Sequence, residues 1–167
     1  MSVLWTTEGD GYFKTPESVY SHYIPGQLDL ANGYVELCLE GNGFTPCGSE
    51  SDCLVISFVK LPIVFAGEDA TIGKYDSFTP QNSLAENYSS VLWMTSGSGT
   101  FNNPNTLATV YTPSFADVES VEVIITLTAQ PLNPCQIDAS DDLILTIYYS
   151  CLDAIINSGD DAAICLG

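Results

Sequence analysis

Residues 3–13 read Val-Leu-Trp-Thr-Thr-Glu-Gly-Asp-Gly-Tyr-Phe, and residues 91–101 read Val-Leu-Trp-Met-Thr-Ser-Gly-Ser-Gly-Thr-Phe. The match continues without a gap, so that 15 of the 46 positions in residues 3–48 are identical to their counterparts in residues 91–136. After one inserted residue, residues 52–56 match residues 141–145. Self-similarity at a fixed spacing is the signature of a repeat architecture. Residues 3–58 and 91–147 are therefore two versions of one module.

The apolar residues of both repeats alternate with polar ones, which is typical of half-buried β-strands. In the second repeat one face would carry Val123, Ile125, Leu127 and Ala129 from residues 121–129, and Leu143, Leu145 and Ile147 from residues 143–147. The first repeat has the same two patterns at Val35, Leu37 and Leu39 and at Leu54, Ile56 and Phe58. Residues 91–94 predict a further strand, and residues 63–65 and 70–72 predict lead strands. No segment predicts a helix.

Short strands separated by turn residues predict an all-β chain of tandem Ig-like or PKD-like β-sandwich modules. Trp5 and Trp93 occupy the same position in the two repeats. As the largest apolar side chains, they are expected to anchor the two cores.

The repeat also sets the expected domain boundaries. Residues 62–150 would form one complete sandwich, and residues 1–61 would form a sandwich that lacks its lead strands. Residues 158–165, Ser-Gly-Asp-Asp-Ala-Ala-Ile-Cys, match residues 66–73, Ala-Gly-Glu-Asp-Ala-Thr-Ile-Gly, so residues 151–167 would begin a following repeat or act as a donor strand. We expect Met1 to be an introduced start within a longer polypeptide, because it stands where Ser89 stands in the complete repeat.

The chain is strongly acidic, with 21 Asp and Glu residues against three lysines and a formal net charge of −18. This charge disfavours nucleic-acid binding, because phosphate contacts require Lys and Arg. It also disfavours docking on anionic lipid, and no apolar run is long enough to predict membrane insertion. The charge favours a solvated, self-repelling extracellular surface.

Six cysteines without a C-x-x-C pair indicate disulfides in an oxidising compartment rather than a zinc site. Cys38 and Cys53 fall on the face opposite the apolar pattern, on strands joined by residues 41–52. If these strands form a hairpin, the two side chains lie opposite each other; their counterparts in the second repeat are Thr126 and Asp142. Sequence does not fix connectivity, and a Cys38–Cys53 bond is one of the pairings that it allows.

The sequence offers little for catalysis. His22 is the only imidazole, and Val110 occupies its position in the second repeat, so we interpret it as a strand-surface residue rather than as a base. The spaced glycines Gly9-x-Gly11 and Gly97-x-Gly99 lack the remaining residues of a phosphate loop and are interpreted as tight turns. We expect no catalytic residue and no enzymatic activity.

Calcium is the cofactor for which the sequence offers weak candidates, namely Glu68, Asp69, Asp160 and Asp161 near predicted loops and strand ends. Ca²⁺ takes six to eight oxygen ligands, and the chain has no EF-hand spacing. Solvated acidic loops are therefore the favoured interpretation. Asp29 and Asp117, which share a position in the two repeats, would instead cap a turn or a local helical loop.

The shared pattern runs W-x-T-x-G-x-G-x-F, then Tyr-x-Pro, an aspartate four residues later, an alternating strand, Pro-Cys and a closing strand, with Ala-Gly-Glu-Asp-Ala-Thr-Ile as a lead. It resembles the PKD-like repeats of very large Bacteroidota surface proteins, which include the SprB-type adhesins of gliding motility and related type IX-secreted proteins. The resemblance implies an extracellular β-sandwich that is repeated many times as a filament or stalk at the cell surface.

The resemblance also implies a disulfide between a lead-strand cysteine of the pattern Thr-Ile-Cys and the Pro-Cys cysteine. Gly73 replaces the first of these in the complete repeat, which leaves the bonding of Cys135 open. Cys47 would bond such a lead-strand cysteine, and Cys165 is the only one in the chain. A Cys47–Cys165 bond would require the tail to supply the missing lead strand to the first repeat.

Two functions remain open. The first is a structural repeat of a giant extracellular adhesin filament, a stalk or spacer for gliding or attachment, with neighbouring repeats of the same polypeptide as its partners. The alternative is a module that binds a glycan or a surface. The first repeat is the better candidate for binding, because its aromatic residues Tyr12, Tyr20, Tyr34 and Phe44 are replaced in the second repeat by Thr100, Ala108, Glu122 and Leu132.

Overall fold

A computed structural model describes residues 2–44 and 46–148 of the chain. The alternating segments form strands there, because a period of two places successive side chains on opposite faces of a sheet. Val123 and Ile125 are at most 3% exposed, whereas the neighbouring Glu122 and Ile124 are exposed. The chain divides into two units, one of residues up to Lys60 and one from Leu61 onward.

The first unit is built from short strands and one short helix. In chain order they are β1 (Ser2–Thr7), β2 (Tyr12–Phe13), β3 (Tyr23–Ile24), α1 (Gln27–Asn32), β4 (Tyr34–Asn42) and β5 (Ser49–Ser57). β4 lies between β1 and β5 in an antiparallel sheet, and β2 pairs with β3 in a separate two-stranded ladder.

The second unit contains the same series of elements behind three additional strands. In chain order its elements are β6 (Ile63–Phe65), β7 (Ala70–Gly73), β8 (Leu84–Glu86), β9 (Tyr88–Thr95), β10 (Thr100–Phe101), β11 (Tyr111–Thr112), α2 (Phe115–Ser120), β12 (Glu122–Pro131) and β13 (Ala139–Tyr148). The main sheet has the order β7–β13–β12–β9, with β7 parallel to β13 and the other pairs antiparallel.

The second layer of this unit is formed by the β6–β8 ladder, which lies against β12 and β13, and by the β10–β11 ladder. Trp93 and Tyr111 are buried between the layers. Ala66 and Phe78, which precede β9 in the sequence, belong to the same core. The β-sandwich fold and the all-β class predicted from the sequence are thereby confirmed.

The two units match in register as well as in element order. Leu39 pairs with Trp5 as Leu127 pairs with Trp93, and β4 and β5 pair in the same register as β12 and β13. In residues 2–44 and 46–60, β6, β7 and β8 have no counterpart. The predicted segments 1–61 and 62–150 remain predictions, and residues 151–167 lie outside the described residues.

The helices α1 and α2 are the elements that the sequence did not predict. At six residues each, they are too short to show a helical period or to be stable on their own. Both are followed by a residue in the left-handed region, Gly33 with φ 79° and Val121 with φ 67°. Glycine adopts this conformation freely, whereas a β-branched residue is strained in it.

The apolar face of the first unit is partly exposed, and among the described residues no strands equivalent to β6 and β7 cover it. Leu54 and Ile56 on β5 are 47% and 36% exposed, whereas Leu143 and Leu145 at the matching positions of β13 are at most 1% exposed. The same apolar pattern therefore forms a closed core in one unit and a partly open face in the other.

We expect Leu143→Ala to lower the free energy of unfolding of the second unit by about 2–5 kcal/mol, because it leaves a cavity in a closed core. Leu54→Ala is the same change at the matched position of the first unit, and it should cost less than about 1 kcal/mol because much of that side chain is already in water. Peptide-resolved hydrogen exchange with increasing denaturant in dilute solution follows β12 and β4 separately. Equal losses at the two positions would contradict the open face.

Candidate functional site

The polar residues that both repeats share lie around one aspartate in each unit. In the second unit it is Asp117, the third residue of α2, and in the first unit it is Asp29, the third residue of α1. Each is only 2% exposed. A buried carboxylate is costly unless hydrogen bonds satisfy it, so the partners of these two side chains define the site.

Asp117 receives hydrogen bonds from three different segments. The Tyr111 hydroxyl donates to its Oδ2 at 2.7 Å, the Ser114 amide donates to the same oxygen at 2.9 Å, and the Ser98 amide donates to Oδ1 at 2.8 Å. The Ser114 hydroxyl in return accepts the Asp117 amide at 3.1 Å, which completes a capping box. The carboxylate thus connects the glycine-rich turn after β9, strand β11 and the start of α2.

Asp29 makes the equivalent contacts in the first unit. The Tyr23 hydroxyl donates to its Oδ2 at 2.6 Å and the Gly26 amide at 2.9 Å. The Asp10 amide donates to Oδ1 and the Gly11 amide to Oδ2, both at 3.2 Å. We call this repeated arrangement of tyrosine, buried aspartate and turn amides the aspartate lock.

The two locks differ in how the helix start is capped. Gly26 stands where Ser114 stands in the second unit, and it has no side chain to accept the amides of α1. The Asp10 carboxylate does so instead, accepting the amides of Leu28 at 3.0 Å and Asp29 at 3.1 Å. The predicted capping role of Asp29 and Asp117 is therefore found in both units, with a different second partner in each.

The spaced glycines of the motif are required by the close approach of the aspartate. A Cβ at Gly97 would overlap the Asp117 carboxylate, and one at Gly99 would lie 2.6 Å from Asp117 Oδ2. A Cβ at Gly9 would overlap the Asp29 carboxylate in the same way. These glycines therefore form a tight turn around a side chain of the protein itself, as the sequence predicted, rather than a cradle for a phosphate.

An aromatic row fixes the tyrosine of each lock. In the second unit the ring of Phe101 lies 6.2 Å from that of Trp93 and 4.9 Å from that of Tyr111. The Trp93 indole N–H donates to the Thr106 carbonyl at 3.0 Å. The first unit repeats the row with Trp5, Phe13 and Tyr23, at 5.3 and 5.0 Å between successive rings. Trp93 is 2% exposed, whereas Trp5 is partly exposed.

The hydrogen bonds keep the two aspartates ionised. Burial raises the pKa of Asp117, but the hydrogen bonds from Tyr111, Ser114 and Ser98 outweigh it and hold that pKa below its usual range. For Asp29 the Tyr23 hydroxyl is the largest cause of a lowered pKa. Burial, together with the bond to Asp117, raises the pKa of Tyr111 to about 12, so this hydroxyl keeps its proton and remains a donor at neutral pH.

The chemistry open to the lock is structural. Both carboxylate oxygens of each aspartate accept hydrogen bonds from the protein, and each aspartate is only 2% exposed. The role of Tyr23 and Tyr111 was missed by sequence reasoning. Their identity in both repeats, next to a shared aspartate and shared glycines, was the signal that could have revealed it.

His22 does not belong to either lock. The residue is exposed and lies directly before β3, and its backbone carbonyl accepts the amide of Lys14 at 2.9 Å. The expectation of no catalytic residue stays a prediction.

Cys38 and Cys53 form a disulfide across β4 and β5, where they are directly paired in the sheet register. This predicted bond is confirmed. Cys47 is exposed in the turn between the two strands, while Cys165 lies outside the described residues, so the Cys47–Cys165 bond stays a prediction.

The second unit nevertheless constrains that bond. Gly73, the counterpart of Cys165, pairs with Tyr148 at the end of β13, whereas Cys135, the counterpart of Cys47, lies in the turn before β13 begins. A strand of this length separates the two positions by about 30 Å, far more than the roughly 7 Å that a disulfide allows between Cα atoms. A tail strand in the β7 register and a Cys47–Cys165 bond in the same sandwich therefore exclude each other.

The calcium candidates do not gather into a site among the residues described. Asp69 Oδ1 accepts the Ile144 amide at 2.8 Å, and Glu68 beside it is exposed. Asp160 and Asp161 lie outside the described residues. In residues 2–44 and 46–148, the cluster of metal-ligating side chains is Glu36, Cys38 and Cys53, whose two sulfur atoms are bonded to each other. These residues do not offer the oxygen-rich set that Ca²⁺ requires.

The four aromatic residues that are specific to the first repeat are strongly exposed. Tyr20 is 90% exposed, and Tyr12, Tyr34 and Phe44 are between 59% and 71% exposed. Tyr34 also lines a cleft of about 410 Å³, together with Glu8, Asn32, Glu36 and the lock residue Asp29. Of the four aromatic residues, Tyr34 is the one that lines this cleft; in the second unit the exposed Tyr75 and Phe115 line another cleft, of about 260 Å³.

No helix in the described part of the chain is long and apolar enough to cross a membrane.

No family model and no curated protein matches the chain. Among solved structures it is similar to extracellular cadherin domains. Mouse protocadherin-24 EC1-3 is 14% identical with a TM-score of 0.43, and the match covers 87% of this chain and 58% of that one. Mouse cadherin-23 EC22-24 is 13% identical with a TM-score of 0.48, and the match covers 87% of this chain and 54% of that one. Drosophila N-cadherin EC1-3 is 15% identical with a TM-score of 0.42, and the match covers 89% of this chain and 55% of that one. The chain thus spans just over half the length of each of these structures.

We expect Asp117→Asn to lower the free energy of unfolding of the second unit by about 2–3 kcal/mol at neutral pH, because it weakens three hydrogen bonds to a charged acceptor. Since the pKa of Asp117 is lowered by folding, its contribution is complete above the unfolded value of about 3.9 and is lost as the pH falls through the folded value. The difference between the parent chain and the variant should therefore shrink in acid.

Urea unfolding between neutral and acidic pH measures this difference. Glu122→Gln removes a carboxylate from an exposed position of β12 and is the matched control, which should leave the stability nearly unchanged. A deficit of Asp117→Asn that stays constant down to strongly acidic pH would contradict a stabilising ionised carboxylate.

Proposed function

We propose that the chain is a structural repeat of a giant extracellular surface adhesin filament, a stalk or spacer for gliding or attachment, without catalytic activity. The observation that carries this proposal is that the polar residues shared by both repeats are used within the fold. Asp29 and Asp117 hold the turn, the tyrosine and the helix start of their own unit, and both are buried. The polar residues that both repeats share are therefore those that stabilise the fold of each module.

The absence of catalysis in this proposal is supported by the chemistry of the two locks. A general base or nucleophile must be reachable by a substrate. The two aspartates whose pKa is shifted are 2% exposed and have a lowered pKa, which makes them poor bases. The single histidine of the sequence is exposed, and the second repeat has valine at its position.

An extracellular location is supported by the disulfide and by the charge. The Cys38–Cys53 bond is solvent-accessible on the side of Cys53, and such bonds persist in oxidising compartments. A net charge of −18 on 167 residues keeps an extended array soluble and self-repelling. In a tandem array, neighbouring repeats of the same polypeptide would be the partners of each module.

The alternative function is that of a glycan- or surface-binding module, and one observation favours it in the first unit. Tyr34 is 59% exposed and lines the cleft with Glu8, Asn32 and Glu36, so an aromatic face and hydrogen-bonding groups adjoin there. Glu122 occupies the position of Tyr34 in the second repeat. The first unit is therefore the better candidate for binding.

A glycan array with the full chain separates the two functions. The matched control carries Tyr12→Thr, Tyr20→Ala, Tyr34→Glu and Phe44→Leu, so that each residue becomes the one that the second repeat already has there. The spacer proposal predicts no saturable binding by either protein. Saturable binding by the full chain that the control has lost would contradict it and establish the alternative. The gene adds a further check, since a spacer predicts an open reading frame with many copies of the W-x-T-x-G-x-G-x-F pattern.

A further inference from the structure

We propose that residues 102–110 form a strap that guards the free edge of β9 against the addition of another strand, and that Trp93 holds this strap in place. The first unit has the same device in residues 14–22, which are held by Trp5. This inference goes beyond the proposed function and does not depend on it, because it concerns the pairing that each sheet must prevent.

The edge that needs guarding lies on β9, which is at one end of the main sheet of the second unit. The Ser96 amide, directly after β9, donates to the Ile124 carbonyl of β12 at 2.9 Å. Because successive amides of a strand point to alternating sides, the amides of Val91, Trp93 and Thr95 point away from β12. An edge with such amides is a template for a further strand.

The strap connects β10 to β11 and is bonded to this edge by one residue. The Trp93 amide, the middle one of the three, donates to the Pro104 carbonyl at 2.8 Å. The Trp93 indole N–H donates to the Thr106 carbonyl at 3.0 Å. We call this pair of hydrogen bonds the tryptophan clamp. It occupies the central edge donor that an incoming strand would need.

The residue that supplies the first carbonyl is a proline, which suits a guard. Proline has no backbone N–H, so Pro104 accepts a hydrogen bond from the edge but cannot donate one in a ladder. A loop that covers an edge and a proline placed on it are two of the devices by which natural sheets avoid edge-to-edge pairing. The strap therefore ends the sheet instead of extending it.

The first unit has the same tryptophan clamp. The Trp5 amide donates to the Pro16 carbonyl at 2.8 Å, and the Trp5 indole N–H donates to the Ser18 carbonyl at 3.1 Å. β1 lies at the end of its sheet as β9 does. Tryptophan and proline are identical in the two clamps, and Ser18, which replaces Thr106, takes part through its backbone carbonyl.

The strap of the second unit is also fixed at its two ends by Asn102. Asn102 Oδ1 accepts the amides of Asn103 at 2.7 Å and Val110 at 2.8 Å, and it accepts the Thr109 hydroxyl at 3.1 Å. Leu107 between these ends packs against the core. Asn102 itself is exposed, so it can be replaced without opening a cavity in the core.

The tryptophan clamp explains why both repeats have tryptophan at this position. Another large apolar residue could fill a core, but phenylalanine and leucine offer no side-chain donor. A buried indole N–H needs a partner, and here that partner belongs to the same strap that accepts the amide of the sheet edge. Repeat proteins are prone to misassembly between similar modules, and both units carry this edge.

Hydrogen exchange measured by NMR in dilute solution tests what holds the strap. Asn102→Ala removes the acceptor of three donors, so the Trp93 amide should exchange about tenfold faster relative to the amides of β12, which report unfolding of the whole unit. Asn105→Ala changes an exposed residue of the same strap and should leave this ratio within about twofold. A ratio that Asn102→Ala does not change would overturn the assignment of the strap.

Sedimentation velocity over a hundredfold range of concentration tests the guarding role. The measurement is made at raised ionic strength, because the net charge of −18 makes copies repel each other. The parent chain and Asn105→Ala should keep the 17.9 kDa mass of one chain at concentrations where Asn102→Ala forms larger non-covalent species. The proposal is overturned if Asn102→Ala keeps the mass of one chain although its Trp93 amide exchanges faster, or if the parent chain associates as strongly.

The exchange pattern of the associated variant locates the contact. In the larger species of Asn102→Ala, the amides of Val91 and Thr95 should become protected as the concentration rises, because they face the added strand. Association that leaves both amides as exchangeable as in the single chain takes place elsewhere on the molecule, and it would overturn the guarding of β9.

A second pair of variants tests Trp93 itself. Trp93→Phe keeps an aromatic ring in the core and removes the indole N–H, whereas Leu127→Ala on the neighbouring strand weakens the same core and leaves the clamp intact. Trp93→Phe should associate at concentrations where Leu127→Ala does not. Equal association of the two variants would show that it follows from lost stability, and it would overturn the role assigned to Trp93.

Discussion

The structure depends on one interaction that occurs twice, the hydrogen bonding of a buried aspartate to a tyrosine and to the amides of a glycine-rich turn. Neither short helix could form alone, and neither turn is stabilised by a strand ladder of its own. Asp117 connects these pieces through Tyr111 Oη at 2.7 Å and Ser98 N at 2.8 Å. Once they are fixed, β12 begins in the register that places its alternate apolar residues in the core.

This constraint explains why the two repeats share the residues that they share. Glycines are needed where the carboxylate passes the turn, tyrosine is needed as a donor that keeps its proton, and phenylalanine and tryptophan position the tyrosine ring. Around this fixed set the repeats diverge freely. Asp10 replaces Ser114 as the helix cap in the first unit, and the Cys38–Cys53 bond takes the place of the pair formed by Thr126 and Asp142. The module is therefore specified by few positions.

The strands and the disulfide could be predicted because they depend on local periodicity and on pairing between neighbouring strands. Val123, Ile125 and Leu127 reveal their strand through alternation alone, and the facing positions of Cys38 and Cys53 follow from a simple hairpin. The helices could not be predicted in this way, because six residues form fewer than two helical turns, too few to show a helical period. The role of Asp141 was also hidden, since its partner Ala66 is 75 residues away in sequence. Contacts of that kind follow only from the packing of the lead segment on the sheet.

The partly exposed apolar face of the first unit is another feature that the local sequence pattern does not predict. Leu54 and Ile56 fit the core pattern as well as Leu143 and Leu145 do, yet their burial depends on strands outside residues 2–60. Alternation identifies which face is apolar, and the presence of β6 and β7 decides whether that face is covered.

Ionised, hydrogen-bonded aspartates stabilise each of the two units from within, and a carbon-13 NMR titration of the side-chain carboxyl groups tests this most directly. Asp29 and Asp117 should both show a pKa below the usual range of an aspartate carboxyl, because the donors around them stabilise the charged form. A pKa within or above that range for both residues, while the chain remains folded, would contradict this stabilisation.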